Sequence, residues 1–293
     1  MALDPGRLWS VLASVSDAIY LESATGEILW IATRSSALHS RAILLSDMPT
    51  NLPAIGTKCW LDDDCLHVGG KLVIRLNDAE LWSPEEMSVD GGVNTPEVAR
   101  GIMAAINRAA LQSPPRGLLA RTLLCLDPNS ARDSLNAIEQ ALLLTASRSI
   151  QSLCHTSSGS DLPAALQDAI GLVGLGHGLT PSGDDLLGAF LYTLHSLDSA
   201  CRELIGIDAE VVDEWLQQAR SRTNKISFAI LADLAHGDAA APLCEFLNAA
   251  LTGESLECLV RLVGRVSAIG QSSGWDMLAG VYCACAAVER TAD

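Results

Sequence analysis

The spacing of apolar residues changes once along the chain, near residue 95, and this limits the folds available to it. Before that point the apolar segments are short and separated by turn residues. "AIYLES" and "EILWIAT" flank Thr25-Gly26, a hairpin turn signal. "RAILLS" follows, then the turn-rich "DMPTNLPAIG". "KCWL" and "KLVIRL" are separated by "DDDCLHVGG". This predicts about five or six short strands in a small antiparallel sheet or barrel. From Thr95-Pro96-Glu97 onward the period becomes helical, with Thr95 as the expected cap and Pro96 in the first turn. Helical segments then run from "EVARGIMAAINRAALQ" to "WDMLAGVYCACAAVE", joined by short Gly- and Pro-punctuated connections. The expected class is α+β: a small antiparallel β-rich N-terminal domain (1–94), then a larger, mostly α-helical domain (95–293).

Composition narrows the function. Hydrophobic residues make up 49% of the 293 positions, enough for a packed core. The net charge of −16 argues against nucleic acid, whose phosphates need clustered Lys and Arg. It leaves room for a small anionic substrate, because a local site can be positive inside an acidic protein. The N-terminal stretch lacks a basic region followed by a long apolar run, and no window has ~18 apolar residues without charge. A membrane partner is therefore not expected, and a cytoplasmic location is. The 9 cysteines are scattered, with no C-x-x-C pair, and read as reduced buried thiols. The acidic triplet Asp62, Asp63 and Asp64 reads as a solvated turn, because the glycine and closing glutamate of a calcium loop are absent.

The chemistry concentrates in "GLGHGLTPSGDDLLGAF", residues 174–190. Ser182-Gly183-Asp184-Asp185 fits a capping box with Asp in place of Glu, Ser182 being the cap and Asp185 reaching back toward it. A cap needs neither the alternating Gly174, Gly176 and Gly178 nor His177, nor Asp184 beside Asp185. Alternating glycines can turn backbone N–H groups toward one point, and the helix N-terminus adds its own donors, giving an anion cradle. Thr180 and Ser182 would add hydroxyls. The spacing is neither a dinucleotide fingerprint nor a Walker A loop.

"SSGWDMLAG" at 272–280 repeats the design. Ser273-Gly274-Trp275-Asp276 opens another helix, and "SGDDLLGA" and "SGWDMLAG" agree at Ser, Gly, Asp and the Leu two positions later. Two such mouths are expected to form a pseudo-symmetric pair facing one cavity, with Ser272, Ser273, Gly274 and Asp276 contributing. A third polar island, "SRTNKISF", holds Arg222 and Lys225 among Thr223, Asn224 and Ser227. It reads either as a cationic wall for an anion or as a helix cap built on Thr223. His177 is the histidine placed to act as acid or base.

At these residues the chain resembles the AllH-like family, in "GLGHGLTPSGDDLLGAFL" and in "GQSSGWDMLAGV". The resemblance implies a subunit of oxamate carbamoyltransferase, working beside an FdrA-like subunit and a third one. That enzyme exchanges a carbamoyl group between oxalurate and phosphate, giving oxamate and carbamoyl phosphate, in allantoin breakdown. Where the commoner family loop has proline between its second and third glycines, this chain has His177. On this reading Asp184, Asp185 and His177 are the catalytic candidates. Gly176, Gly178, Thr180, Ser182, Gly183, Thr223, Asn224, Lys225, Ser227, Ser272, Ser273, Gly274 and Asp276 would bind substrate. Asp184 would orient the carbamoyl amine, act as a base or hold a divalent cation, the one cofactor the pattern leaves open. Self-association is left open as well. Two other readings stand beside this one: a non-catalytic binding or scaffold subunit, and a metal-assisted amidohydrolase using Asp184, Asp185 and Asp276.

Overall fold

Side-chain alternation along the first strands buries one face of a sheet. The computed structural model describes residues 8–62, 64–84, 94–124, 137–156, 161–201 and 207–290. The chain divides into two units, Met1–Pro84 and Glu85–Asp293.

The first unit is a single seven-stranded sheet: β1 (Leu8–Val15), β2 (Ala18–Ser23), β3 (Ile28–Thr33), β4 (Ala42–Leu45), β5 (Lys58–Leu61), β6 (Cys65–Val68) and β7 (Leu72–Arg75). Among the described residues the order β4-β3-β2-β1-β5-β6-β7 leaves β4 and β7 as edges, an open sheet and not a barrel. Neighbours are antiparallel except for the parallel β3–β4 pair. Val11 opposes Leu21, Leu21 opposes Leu29, and Trp9 opposes Cys59. These residues share one buried face, which the loop residues Met48 and Leu52 help to cover. Period-2 patterning thus fixes the register.

Two strands correct the sequence expectation. β1 is the central strand, yet its polar Ser10 and Ser14 and the irregularity between Val11 and Ala13 blur the alternation. β6 lies inside the segment read as a connector. Asp62 ends β5's loop as a turn, its Oδ1 accepting from the N–H of Asp64 (3.2 Å) and of Cys65 (2.7 Å), and this frees Cys65–Val68 to pair.

The second unit contains α1 (Thr95–Gln112), α2 (Leu118–Leu123), α3 (Ala137–Cys154), α4 (Leu162–Ala169) with a 3-10 turn at Ile170–Leu172, α5 (Ser182–Cys201), α6 (Ala209–Ala219), α7 (Lys225–Ala235), α8 (Ala241–Leu251), α9 (Leu256–Ser267) and α10 (Ser273–Arg290). The segment "ARDSLNAIEQALLLTASRSI" (131–150), whose apolar spacing predicts a helix, is described only from residue 137. Asn94, not Thr95, caps α1: its side chain accepts from the Glu97 N–H. Amphipathic helices such as α9 lie outside, whereas α5 and α10 are apolar on nearly all sides and form the centre. Phe190, Leu187 and Leu194 of α5 and Leu278, Val281 and Cys285 of α10 are sealed in one core. Gly280 lets the two backbones meet: a Cβ there would lie 2.1 Å from the carbonyl oxygen of Leu186. Cys59, Cys65, Cys154, Cys244, Cys258, Cys283 and Cys285 are free thiols. Cys125 and the Cys201 side chain lie outside the described residues. Among the described residues no helix is long and apolar enough to cross a membrane.

Candidate functional site

The loop before α5 takes its shape from glycine. Gly174, Gly176 and Gly178 all have positive φ. Gly176 (φ 124°) also needs its lack of a side chain, because a Cβ would lie 2.7 Å from the Ser182 nitrogen. Three of the first-turn donors of α5 are spent inside the chain. Gly183 N–H bonds the Leu175 carbonyl (2.9 Å), and Asp184 and Asp185 N–H bond the Pro181 carbonyl (3.0 and 3.2 Å). Ser182 is therefore a first-turn residue and not the cap, which corrects the capping-box expectation. The N–H groups of Gly176, His177, Gly178, Leu179 and Thr180 find no acceptor among the described residues. The unclaimed donors thus belong mainly to the loop, with the Ser182 N–H at the helix mouth beside them. His177 and Gly178 are exposed at its tip.

The loop before α10 repeats this wiring. Gly274 N–H bonds the Ile269 carbonyl (3.0 Å), and Trp275 and Asp276 N–H bond the Ser272 carbonyl (3.0 and 3.2 Å). Gly183 and Gly274 each press on a preceding carbonyl: a Cβ would lie 1.8 Å from Leu172 O and 1.9 Å from Val266 O, respectively. Leu175 N–H bonds Leu172 O, as Ile269 N–H bonds Val266 O. The two motifs therefore superpose in hydrogen-bond pattern, except that five residues (176–180) in the first stand against two (270–271) in the second. The mouths touch: Thr180 Oγ1 and Ser273 Oγ are 2.8 Å apart.

Asp184 is knitted into the fold. Its Oδ1 accepts from the Gly174 N–H (2.7 Å), and its Oδ2 accepts from the hydroxyls of Ser227 (2.5 Å) and Thr223. It ties loop, α5 and the start of α7 together at 2% exposure. Asn224, and not Thr223, caps α7, accepting from Ile226 and Ser227 N–H, and its Nδ2 donates to the Leu179 carbonyl (2.9 Å). The third polar island is thus joined to the Gly loop by side chains. Lys225 and Arg222 are exposed beside it.

Asp185 and Asp276 occupy equivalent positions in the two motifs. Asp276 Oδ1 accepts from the N–H groups of Leu119 (2.9 Å) and Ala120 (3.0 Å) and so caps α2. Gly117 is required there, since a Cβ would lie 2.3 Å from that oxygen. Sequence reasoning missed this partner; the only signal was a lone glycine after Pro114-Pro115. Burial pushes Asp276 up to about 6, against the Ser182 hydroxyl and the α2 N–H groups, which favour its charge. Burial also holds Asp185 well above the usual carboxylate range. The negative charges of Asp276 and Asp184 reinforce this, and the Ser273 and Thr180 hydroxyls oppose it. The exchange is reciprocal: Ser182 of the first mouth serves Asp276, and Ser273 of the second serves Asp185.

Elsewhere in this unit the carboxylate oxygens of Asp233 and Asp238 lie within 4.8 Å of one another, hard donors of the kind a divalent cation takes. Nothing in the sequence pattern singled them out.

A helical unit with two abutting Ser-Gly-x-Asp helix starts is the class that fold and site define. Residues 172–285, which contain both starts, match the family described as oxamate carbamoyltransferase subunit AllH. No curated protein and no solved structure matches the chain.

Proposed function

We propose that this chain is a component of a carbamoyltransferase that handles small anions such as oxalurate, oxamate and carbamoyl phosphate in purine (allantoin) nitrogen catabolism. It would act beside an FdrA-like subunit and other carbamoyltransferase subunits. The observation that carries this reading is the family match across both helix starts, where the N–H groups of residues 176–180 are left without acceptors. Backbone donors fixed at a loop stabilise an oxyanion that forms as phosphate oxygen attacks the carbamoyl carbon, each worth roughly 2.7–4 kcal/mol. Thr180 adds a hydroxyl at the loop's end, Lys225 adds positive charge nearby, and exposed His177 can exchange protons with a bound ligand. Asp184 acts as a positioning residue on this reading, because both of its oxygens already hold protein donors.

One observation favours a binding subunit with the chemistry completed on a partner: the three aspartates at the mouths are all buried. The test is a thermal shift of the purified chain with carbamoyl phosphate. Ligand at 100 times its dissociation constant adds about 2.7 kcal/mol of stability. A rise that Gly178→Ala weakens supports the loop as the anion site. No rise with the chain alone, and none when it is assembled with its partner subunits, would overturn the proposal.

A further inference from the structure

An open groove of about 580 Å³ lies between α1 and α10. α1 supplies Arg100, Met103, Ala104 and Asn107, which share one helix face, and α10 supplies Tyr282, Ala286, Glu289 and Arg290. Arg290 closes α10, whereas Ser273 opens it, about 25 Å away along the axis, so the groove is separate from the two helix starts. Ala104 and Ala286 leave the space open between the walls, and Met103 adds an apolar surface. Arg100 Nη1 and Glu289 Oε1 are 3.8 Å apart, an ion pair too long for a hydrogen bond. Both side chains are exposed (56% and 40%), where such a pair contributes little, so the Arg100 donors can turn to a ligand. Arg290 forms no ion pair among the described residues. Two guanidinium groups against one carboxylate make the groove locally positive in a chain of net charge −16. Asn107 lies two turns from Arg100, and Tyr282 two turns from Glu289, about 10 Å along each helix. The groove thus has a cationic end, an apolar middle and a neutral polar end.

We propose that this groove binds a small organic acid, with its carboxylate on Arg100 and Arg290, its apolar body over Met103, Ala104 and Ala286, and a polar tail toward Asn107 and Tyr282. The planar guanidinium fork matches a carboxylate bidentately, and a cation would meet two like charges there. The volume falls within the range of small-molecule sites, roughly 300–1,000 Å³. The apolar middle offers an inorganic anion nothing to touch, whereas an organic body covers it and is drawn out of water. Glu289 competes with the ligand carboxylate for Arg100, because its own oxygen already sits near that guanidinium. The site does not rest on the carbamoyl-transfer reading and stands whether or not the 176–180 loop holds an anion.

Saturation-transfer NMR on the full chain tests this with benzoate, 4-hydroxybenzoate and 4-hydroxyphenylacetate as probes. 4-Hydroxybenzamide keeps the shape without the charge, and inorganic phosphate keeps a charge without the body. Saturable binding of an acid probe at millimolar concentration is expected, and neither control should match it. Arg100→Gln and Arg290→Gln should each weaken it about tenfold or more. Ala286→Leu, which fills the middle of the groove, should abolish it. Melting curves check that these variants stay folded. Glu289→Gln removes the competing carboxylate and should tighten binding, and a weakening there overturns the placement of the ligand's acid group. Absence of binding by all three acids overturns the proposal. So does binding that survives Arg290→Gln and Ala286→Leu, which would put the acid elsewhere on the chain. Equal binding of phosphate, lost in the arginine variants, overturns the organic ligand and leaves a bare anion patch.

Discussion

Thr180 and Ser273 are 93 positions apart in the chain, yet their hydroxyl oxygens are 2.8 Å apart, and this bond joins the two helix starts. Thr180→Val keeps the shape and removes the bond. The expected cost is about 1 kcal/mol, read from urea unfolding at an unchanged m-value. A neutral result would mean that water replaces the bond without loss.

Asp184→Ala strands the Gly174 N–H and two hydroxyls in a buried place. The expected loss is on the order of 3 kcal/mol. Chemical denaturation checks it. A loss below about 1 kcal/mol would show that Asp184 is not a structural tie.

Gly183→Ala and Gly274→Ala should be damaging to a similar degree, each by about 2–3 kcal/mol, because each Cβ would run into a carbonyl oxygen. Gly178→Ala meets nothing within 4 Å and strains only its positive φ, for about 1 kcal/mol. Three melting curves suffice. A large difference between Gly183→Ala and Gly274→Ala would break the equivalence of the two motifs.

The acid pair predicts how stability depends on pH. Asp276 has a folded value of about 6, above its ordinary value of 3.8, so between these limits the folded state binds more protons than the unfolded one. Its contribution is therefore fully present below about pH 4 and is lost as pH rises toward 6, a change on the order of 3 kcal/mol. Asp185, raised by burial as well, contributes with the same sign. The difference in unfolding free energy between wild type and Asp276→Asn should fall with rising pH across this range. A flat difference would remove the raised carboxyl.

Much of this was legible in residue patterns, because local rules and tertiary packing agreed. "WDMLAGVYCACAAVE" lies within α10, and Thr25-Gly26 turns between β2 and β3. The likeness of "SGDDLLGA" and "SGWDMLAG" anticipated two helix starts that meet. β1 was hidden because its partners on both sides, and not its own alternation, bury it. The capping box was misread because Pro181 supplies the carbonyl that starts α5, leaving the Ser182 side chain to serve another helix. That Asp276 holds α2 could not be read locally, since Ala120 lies 156 positions away.

The approach of α10 to α5 at Gly280 sets a further constraint. With the main chain of one helix against the carbonyl of the other, the gap between the two Ser-Gly starts is gauged by backbone atoms. Exchanging Phe190 or Leu278 for another apolar residue changes how the core fills, but it cannot act as a spacer there. The spacing of the two helix starts is therefore one that drift in the surrounding core leaves alone, and Gly280 is the position through which it could be reset.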